Sequence, residues 1–159
     1  GLVEAFIIGE KFIGDDDVTL ILGDNVFLTN TKIETQPNAI FTYKVKNPSD
    51  YGVIKEDAHG NIEKIVEKPT EFVSNDAVVG LYVFSNMAIS LAKKVKPSKR
   101  GELEIVDLIM LMDMYEGVYS QEFDGVWFDC GTHDDLLECS EFVRALDKRT
   151  TRDIFLKEI

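Results

Sequence analysis

The chain has 159 residues, 45% of them hydrophobic, and its 17 Lys and Arg stand against 29 Asp and Glu for a net charge of −12. That is enough apolar chain for one ordinary core, so a single domain over residues 1–149 with a tail at 150–159 is expected. The charge repels DNA and RNA unless a basic patch overrides it; the densest basic run, Lys93 to Arg100, has no interleaved aromatics and reads as a solvated face, so no nucleic-acid partner is expected.

The chain begins without Met, directly in a helix-like stripe of Leu2, Ala5, Phe6, Ile8, Phe12 and Ile13 that ends near Gly14, as though it started in mid-domain. "VTLILGDN" follows, a continuous apolar run closed by Gly23 and Asp24, which predicts a central parallel strand covered on both faces. Ala39 to Val45 predicts a second strand, and Gly52 to Pro69 a hairpin with "DAHGN" at its turn. Ala77 to Ser85 reads as another buried strand, and Asn86 to Val95 as a short helix that stops before Pro97. Leu103 to Tyr115 is a helix so apolar that it needs cover on more than one side. Strands at Val118 to Phe123 and Val126 to Phe128 precede a helix from about Asp134 to Asp147, with Leu136, Cys139, Val143 and Leu146 facing inward. Thr132 and Asp135 have the spacing of a capping box. Alternating strands and helices predict an α/β domain with a mixed, mainly parallel sheet.

Chemistry concentrates at the strand ends. In open α/β sheets ligands lie outside the carboxyl ends of the strands, where Asp24 follows "VTLILG" and Asp129 follows "VWF". If those strands are neighbours, two carboxylates face one crevice and suit Mg²⁺; each alone also suits a turn or cap. Lys68 in "IVEKP" ends a strand, and Pro69 turns the chain out of the sheet, a placement that fits a phosphate-binding cation and equally an ordinary exposed lysine. Glu67 accepts from sugar hydroxyls or faces solvent, and Gly52 admits a ligand to the backbone or simply turns the chain. Glu102, Glu104 and Asp107 read as helix-dipole residues, and Met110, Met112 and Met114 as core or subunit interface. Cys130 and Cys139 form no CxxC pair, and His59 and His133 lie off ligand spacing, which argues against structural zinc. Without a signal peptide or a membrane-length apolar run, a cytoplasmic location and no membrane partner are expected.

In order along the chain, "GLVEAFIIGEKFIGDD", "LILGDN", "DYGV", "EKP", "AVVGLYVF", "RGELEIVD" and "WFDCGTHDDLLE" resemble the sugar nucleotidylyltransferases from Gly1 to about Val143. The resemblance implies a Rossmann-like nucleotidyltransferase domain that joins a sugar 1-phosphate to the α-phosphorus of a nucleoside triphosphate, releasing pyrophosphate with Mg²⁺. It is strongest to members that use glucose 1-phosphate and thymidine triphosphate. Asp24 and Asp129 match the family's metal-binding aspartates, and Lys68 matches the lysine that holds the sugar phosphate. Tyr51, Gly52, Glu67 and Val78 match sugar-contacting positions, Trp127 an aromatic near the sugar, and Gly1 a glycine beside the base.

The family's Gly-rich triphosphate loop, GxGTRLxP, has no counterpart here, so the domain is read as partial and lacking its N-terminal strands, with apolar surface exposed unless something covers it. The link "VFLTNTKIETQPN" is also near the minimum for a parallel crossover. Three readings follow. The chain is the sugar- and metal-binding portion of a nucleotidylyltransferase whose missing part was cut away or comes from another polypeptide. Alternatively it is a non-catalytic relative serving as a sugar-phosphate binding or homo-oligomerisation module, or a complete enzyme that grips the triphosphate with Lys93 to Arg100.

Overall fold

The structure, a computed structural model, describes residues 1–29 and 36–157, with the side chains of those up to 146. The chain divides into two compact units, Gly1–Leu22 with Lys32–Asp124, and Gly23–Thr31 with Gly125–Ile159.

The larger unit begins with helix α1 (Glu4–Ile13), stopped by Gly14, whose φ of 62° suits glycine and whose N–H closes onto the Glu10 carbonyl. Strand β1 (Val18–Ile21) follows, then β3 (Ala39–Lys44), the hairpin β4 (Gly52–Glu56) and β5 (Ile62–Glu67), β6 (Asp76–Phe84) and β7 (Tyr119–Glu122). A 3-10 turn at Pro48–Asp50 leads into β4, and helices α2 (Met87–Ala92) and α3 (Ile105–Glu116) separate β6 from β7. The sheet runs β5-β4-β6-β3-β7, with β1 also paired to β6. Asp57 organises the hairpin turn: its carboxylate accepts from the N–H groups of His59 and Asn61 and from the Asn61 amide, and Gly60 takes a φ of 82°.

Nine-residue β6 is the axis of this unit, buried along nearly its whole length, as its unbroken apolar run requires. Its alternate residues Val78, Tyr82 and Phe84 enter a cluster built with Val3 and Phe6 of the α1 segment, Leu91 of α2, and Ile105, Leu108 and Met112 of α3. The Phe6 and Phe84 rings lie 5.8 Å apart, and truncating such a closed ring to Ala costs about 3–5 kcal/mol.

The α/β class and the mixed sheet are as expected, but the pairing departs from a mainly parallel sheet. Among the described residues β3 with β7 is the one parallel pair; β1–β6, β3–β6, β4–β5 and β4–β6 are antiparallel. A continuous apolar run marks burial and not strand direction, which is why "VTLI" misled. It lies antiparallel to β6, with its residues alternating half-buried and exposed and Ile21 58% exposed. The α1 stripe is also rotated from expectation: Val3 and Phe6 are buried, while Ile8 and Phe12 are 84% and 95% exposed.

The smaller unit is a two-stranded antiparallel ribbon, β2 (Asn25–Leu28) with β8 (Val126–Asp129), followed by α4 (His133–Lys157). The β2 strand had no sequence signal, and it occupies part of the link read as a crossover; residues 30–35 of that link lie outside the described residues. The Thr132 hydroxyl accepts from the Asp135 N–H at 3.2 Å and donates to the Asp135 carboxylate at 2.6 Å, so that cap forms as expected. The helix continues to Lys157, into the segment expected to be a tail. Of its four inward residues only Cys139 is buried; Leu136, Val143 and Leu146 are exposed. No helix among the described residues is long and apolar enough to cross a membrane.

Candidate active site

The hairpin ladder sets Gly52 opposite Glu67, and the pairing closes where the Lys68 N–H donates to the Tyr51 carbonyl at 2.9 Å. A Cβ on Gly52 would lie 3.0 Å from Glu67 Oε2 and 3.3 Å from Val106 Cγ1, so glycine is what lets the carboxylate sit against the strand. Lys68 then takes a φ of 43°, a left-handed conformation costing a lysine about 1–2 kcal/mol, and Pro69 is buried directly after it. The result is an exposed ammonium group on a constrained strand end, beside a half-buried carboxylate.

Arg100 completes this cluster. Its guanidinium lies 3.6 Å from Glu67, 3.6 Å from Glu102 and 3.7 Å from Glu104. The Ser98 hydroxyl donates to Glu104 at 2.8 Å. Neither role was legible: Arg100 read as part of a solvated run, and Glu104 as a dipole residue. Glu104 sits at the N-cap of α3 without a capping hydrogen bond, because its carboxylate is engaged by Ser98 and Arg100 instead. Gly1 packs against the approach to this helix, where an added Cβ would fall 2.4 Å from the Leu103 carbonyl oxygen. Val78, one of the predicted sugar-contacting positions, contributes its side chain to the core cluster at 8% exposure.

Burial pushes the Glu67 carboxyl above its ordinary range, the Glu104 carboxylate adds to this, and Lys68 and Arg100 oppose it; Glu102 adds a smaller upward push. A carboxyl raised on folding contributes stability below its unfolded pKa that is lost as pH rises through the folded value. Glu67→Gln is therefore expected to melt higher than the parent at neutral pH. The gap should close as pH falls below about 4.3, the ordinary glutamate value. Thermal scans from acid to neutral pH check this, and a gap independent of pH would refute it.

In the smaller unit, Asp24 and Asp129 lie at the same end of the β2–β8 ribbon. Asn25 is the register partner of Asp129, and the Cys130 N–H donates to the Asp24 carbonyl at 2.8 Å. Two antiparallel strands place both residues at this end, not the neighbouring parallel strands expected. Asn25 links the site to its apolar support: its amide nitrogen donates to Asp24 Oδ1 at 2.9 Å, while its oxygen accepts from the Trp127 indole at 2.8 Å. Trp127 is itself buried at 8% exposure. The Asp129 carboxylate lies over Gly131, whose missing Cβ would sit 3.4 Å from Oδ1. Asp24 is exposed and Asp129 half-buried, giving two hard oxygen donors. That donor set fits Mg²⁺, which takes one or two carboxylates and completes its shell with water and phosphate oxygens. No group of three or more His, Cys, Asp or Glu able to hold a metal occurs among the described residues.

These motifs find close relatives. Glucose-1-phosphate thymidylyltransferase of Neisseria meningitidis is 43% identical over 92% of this chain and 54% of its own length. The Mycobacterium tuberculosis protein of that name is 39% identical over 99% and 58%. Among solved structures, a UDP-glucose pyrophosphorylase bound to UDP-glucose superposes with a TM-score of 0.81 at 26% identity, over 91% of this chain and 62% of that one. The sheet and helices are thus those of the Rossmann-like nucleotidyltransferases, and the chain spans about half the length of the curated relatives it matches. With the nucleotidyl transferase profile matching residues 1–145, the chain belongs to the nucleotidyl transferase family.

Proposed function

We propose that this chain forms the sugar-phosphate and metal-binding portion of a sugar-1-phosphate nucleotidylyltransferase, with glucose 1-phosphate and thymidine triphosphate as substrates. The observation that carries the reading is the strand end where Gly52 faces Glu67 and the constrained Lys68 follows. There Glu67 accepts hydrogen bonds from sugar hydroxyls, Gly52 and Tyr51 border the ring, and Lys68, with Arg100 at hand, receives the phosphate. Asp24 and Asp129 would hold Mg²⁺, which when bound neutralises phosphate charge as it develops. Trp127 and Asn25 keep that ribbon end in place. The reaction joins a sugar-phosphate oxygen to the α-phosphorus while pyrophosphate departs, and these residues act chiefly by positioning and charge compensation.

The matched length of relatives, together with the exposed Ile8, Phe12, Ile21 and Met114, supports a second element of the proposal. Further polypeptide, a second copy or a separate segment, covers this apolar surface, as patches of this kind usually require. The deciding assay is pyrophosphate release with glucose 1-phosphate, thymidine triphosphate and Mg²⁺, run beside calorimetric titration of glucose 1-phosphate. Sugar-phosphate binding without turnover is expected of this chain alone. Turnover that vanishes in Asp24→Asn would place the whole triphosphate grip within the chain, and absence of binding would overturn the proposal.

A further inference from the structure

Cys130 stands at the end of β8 and is half-buried; Cys139 lies in the second turn of α4 and is buried. Phe128 and Cys130 are two residues apart along the extended strand end, and Cys139 and Phe142 three apart on the helix, so each pair shares a face. The rings of Phe128 and Phe142 pack at 5.4 Å, and that packing brings the two cysteines close enough for their thiols to interact.

We infer that Cys130 and Cys139 are a redox pair, converted by a small disulfide such as glutathione disulfide into an intrachain disulfide that ties the end of β8 to α4. Cys130 is the more exposed and reacts first. Its thiolate attacks one sulfur of the oxidant and expels one glutathione; the Cys139 thiolate then attacks the Cys130 sulfur and expels the second. Two electrons pass to the oxidant, and the two thiol protons end on the released glutathiones.

The consequence reaches the ribbon end. Cys130 is joined by one peptide to Asp129, and its N–H holds the Asp24 carbonyl. A disulfide holds its two Cα atoms about 4.4–6.8 Å apart, so oxidation constrains the segment that carries both contacts. Trp127 is the chain's one tryptophan and stands three residues before Cys130, so its fluorescence reports the change. The inference rests on the thiol geometry and does not need the nucleotidylyltransfer reading.

The test is intact mass and Trp127 emission of the reduced chain during incubation with glutathione disulfide. The expected result is a loss of about 2 Da without retained glutathione, with an emission shift, both reversed by dithiothreitol. Cys130→Ser, at the half-exposed position, and Cys139→Ala should each abolish the loss and the shift. Retained glutathione, unreacted thiols, or a disulfide dimer that grows with protein concentration would overturn the pair. A disulfide with unchanged emission would overturn its coupling to the ribbon.

Discussion

Lys68→Ala should weaken binding of glucose 1-phosphate by about ten- to a hundredfold and leave binding of glucose within about twofold, because a charge-assisted hydrogen bond to an anion is worth about 1.5–3 kcal/mol. The asymmetry is the informative part. A general disturbance of the hairpin end would injure both ligands, since Glu67, the proposed hydroxyl acceptor, is the preceding residue and stands opposite Gly52. The substitution leaves the backbone strain unchanged, because an alanine at a φ of 43° is as strained as the lysine it replaces, so the strain cancels in the comparison. Calorimetry with the two ligands, in parent and variant, measures it. Equal losses would remove Lys68 from the phosphate role and leave Arg100, held among three carboxylates at 3.6–3.7 Å, as the cation to test next.

Local pattern was most legible where it coincided with tertiary fate. The turn chemistry of "DAHGN" and the long apolar run of β6 each have one physical solution, and both formed as expected. So did the Thr132 and Asp135 cap, which needs nothing beyond its own four residues. Exposure was least legible. Ile8 and Phe12 belong to a sound helical stripe, yet nothing among the described residues covers them, and periodicity reports which face is apolar without reporting what it meets. The Arg100 cluster was hidden for a related reason: "RGELE" reads as surface charge until the fold carries Glu67, thirty-three positions earlier in the chain, up to it. Asp24 and Asp129 were expected at the ends of neighbouring parallel strands, and they lie instead at one end of the antiparallel β2–β8 ribbon. Strand-end placement was legible from the local run of residues; the strand direction, set by distant partners, was not.

That ribbon makes a sharper prediction than two separate ligands would. Asp24→Asn and Asp129→Asn should each reduce Mg²⁺-dependent binding of glucose 1-phosphate together with thymidine triphosphate by at least about tenfold, and the double variant should lose little more than either single one. If both carboxylates hold one ion, removing the first already forfeits most of what the second contributes, so the losses are strongly non-additive. If each is only a structural aspartate, capping its own turn, the losses should be small, independent of Mg²⁺ and additive. The amide replacement is mild at position 24, where the side chain is exposed and accepts from the neighbouring Asn25 amide, to which an asparagine oxygen can still serve as acceptor. Position 129 is half-buried beside Gly131, so melting temperature should be followed alongside, to separate lost folding from lost metal. Titrating Mg²⁺ across parent, single and double variants decides between them: unchanged Mg²⁺ dependence in both single variants would dissolve the two-aspartate site, whatever the fate of Lys68.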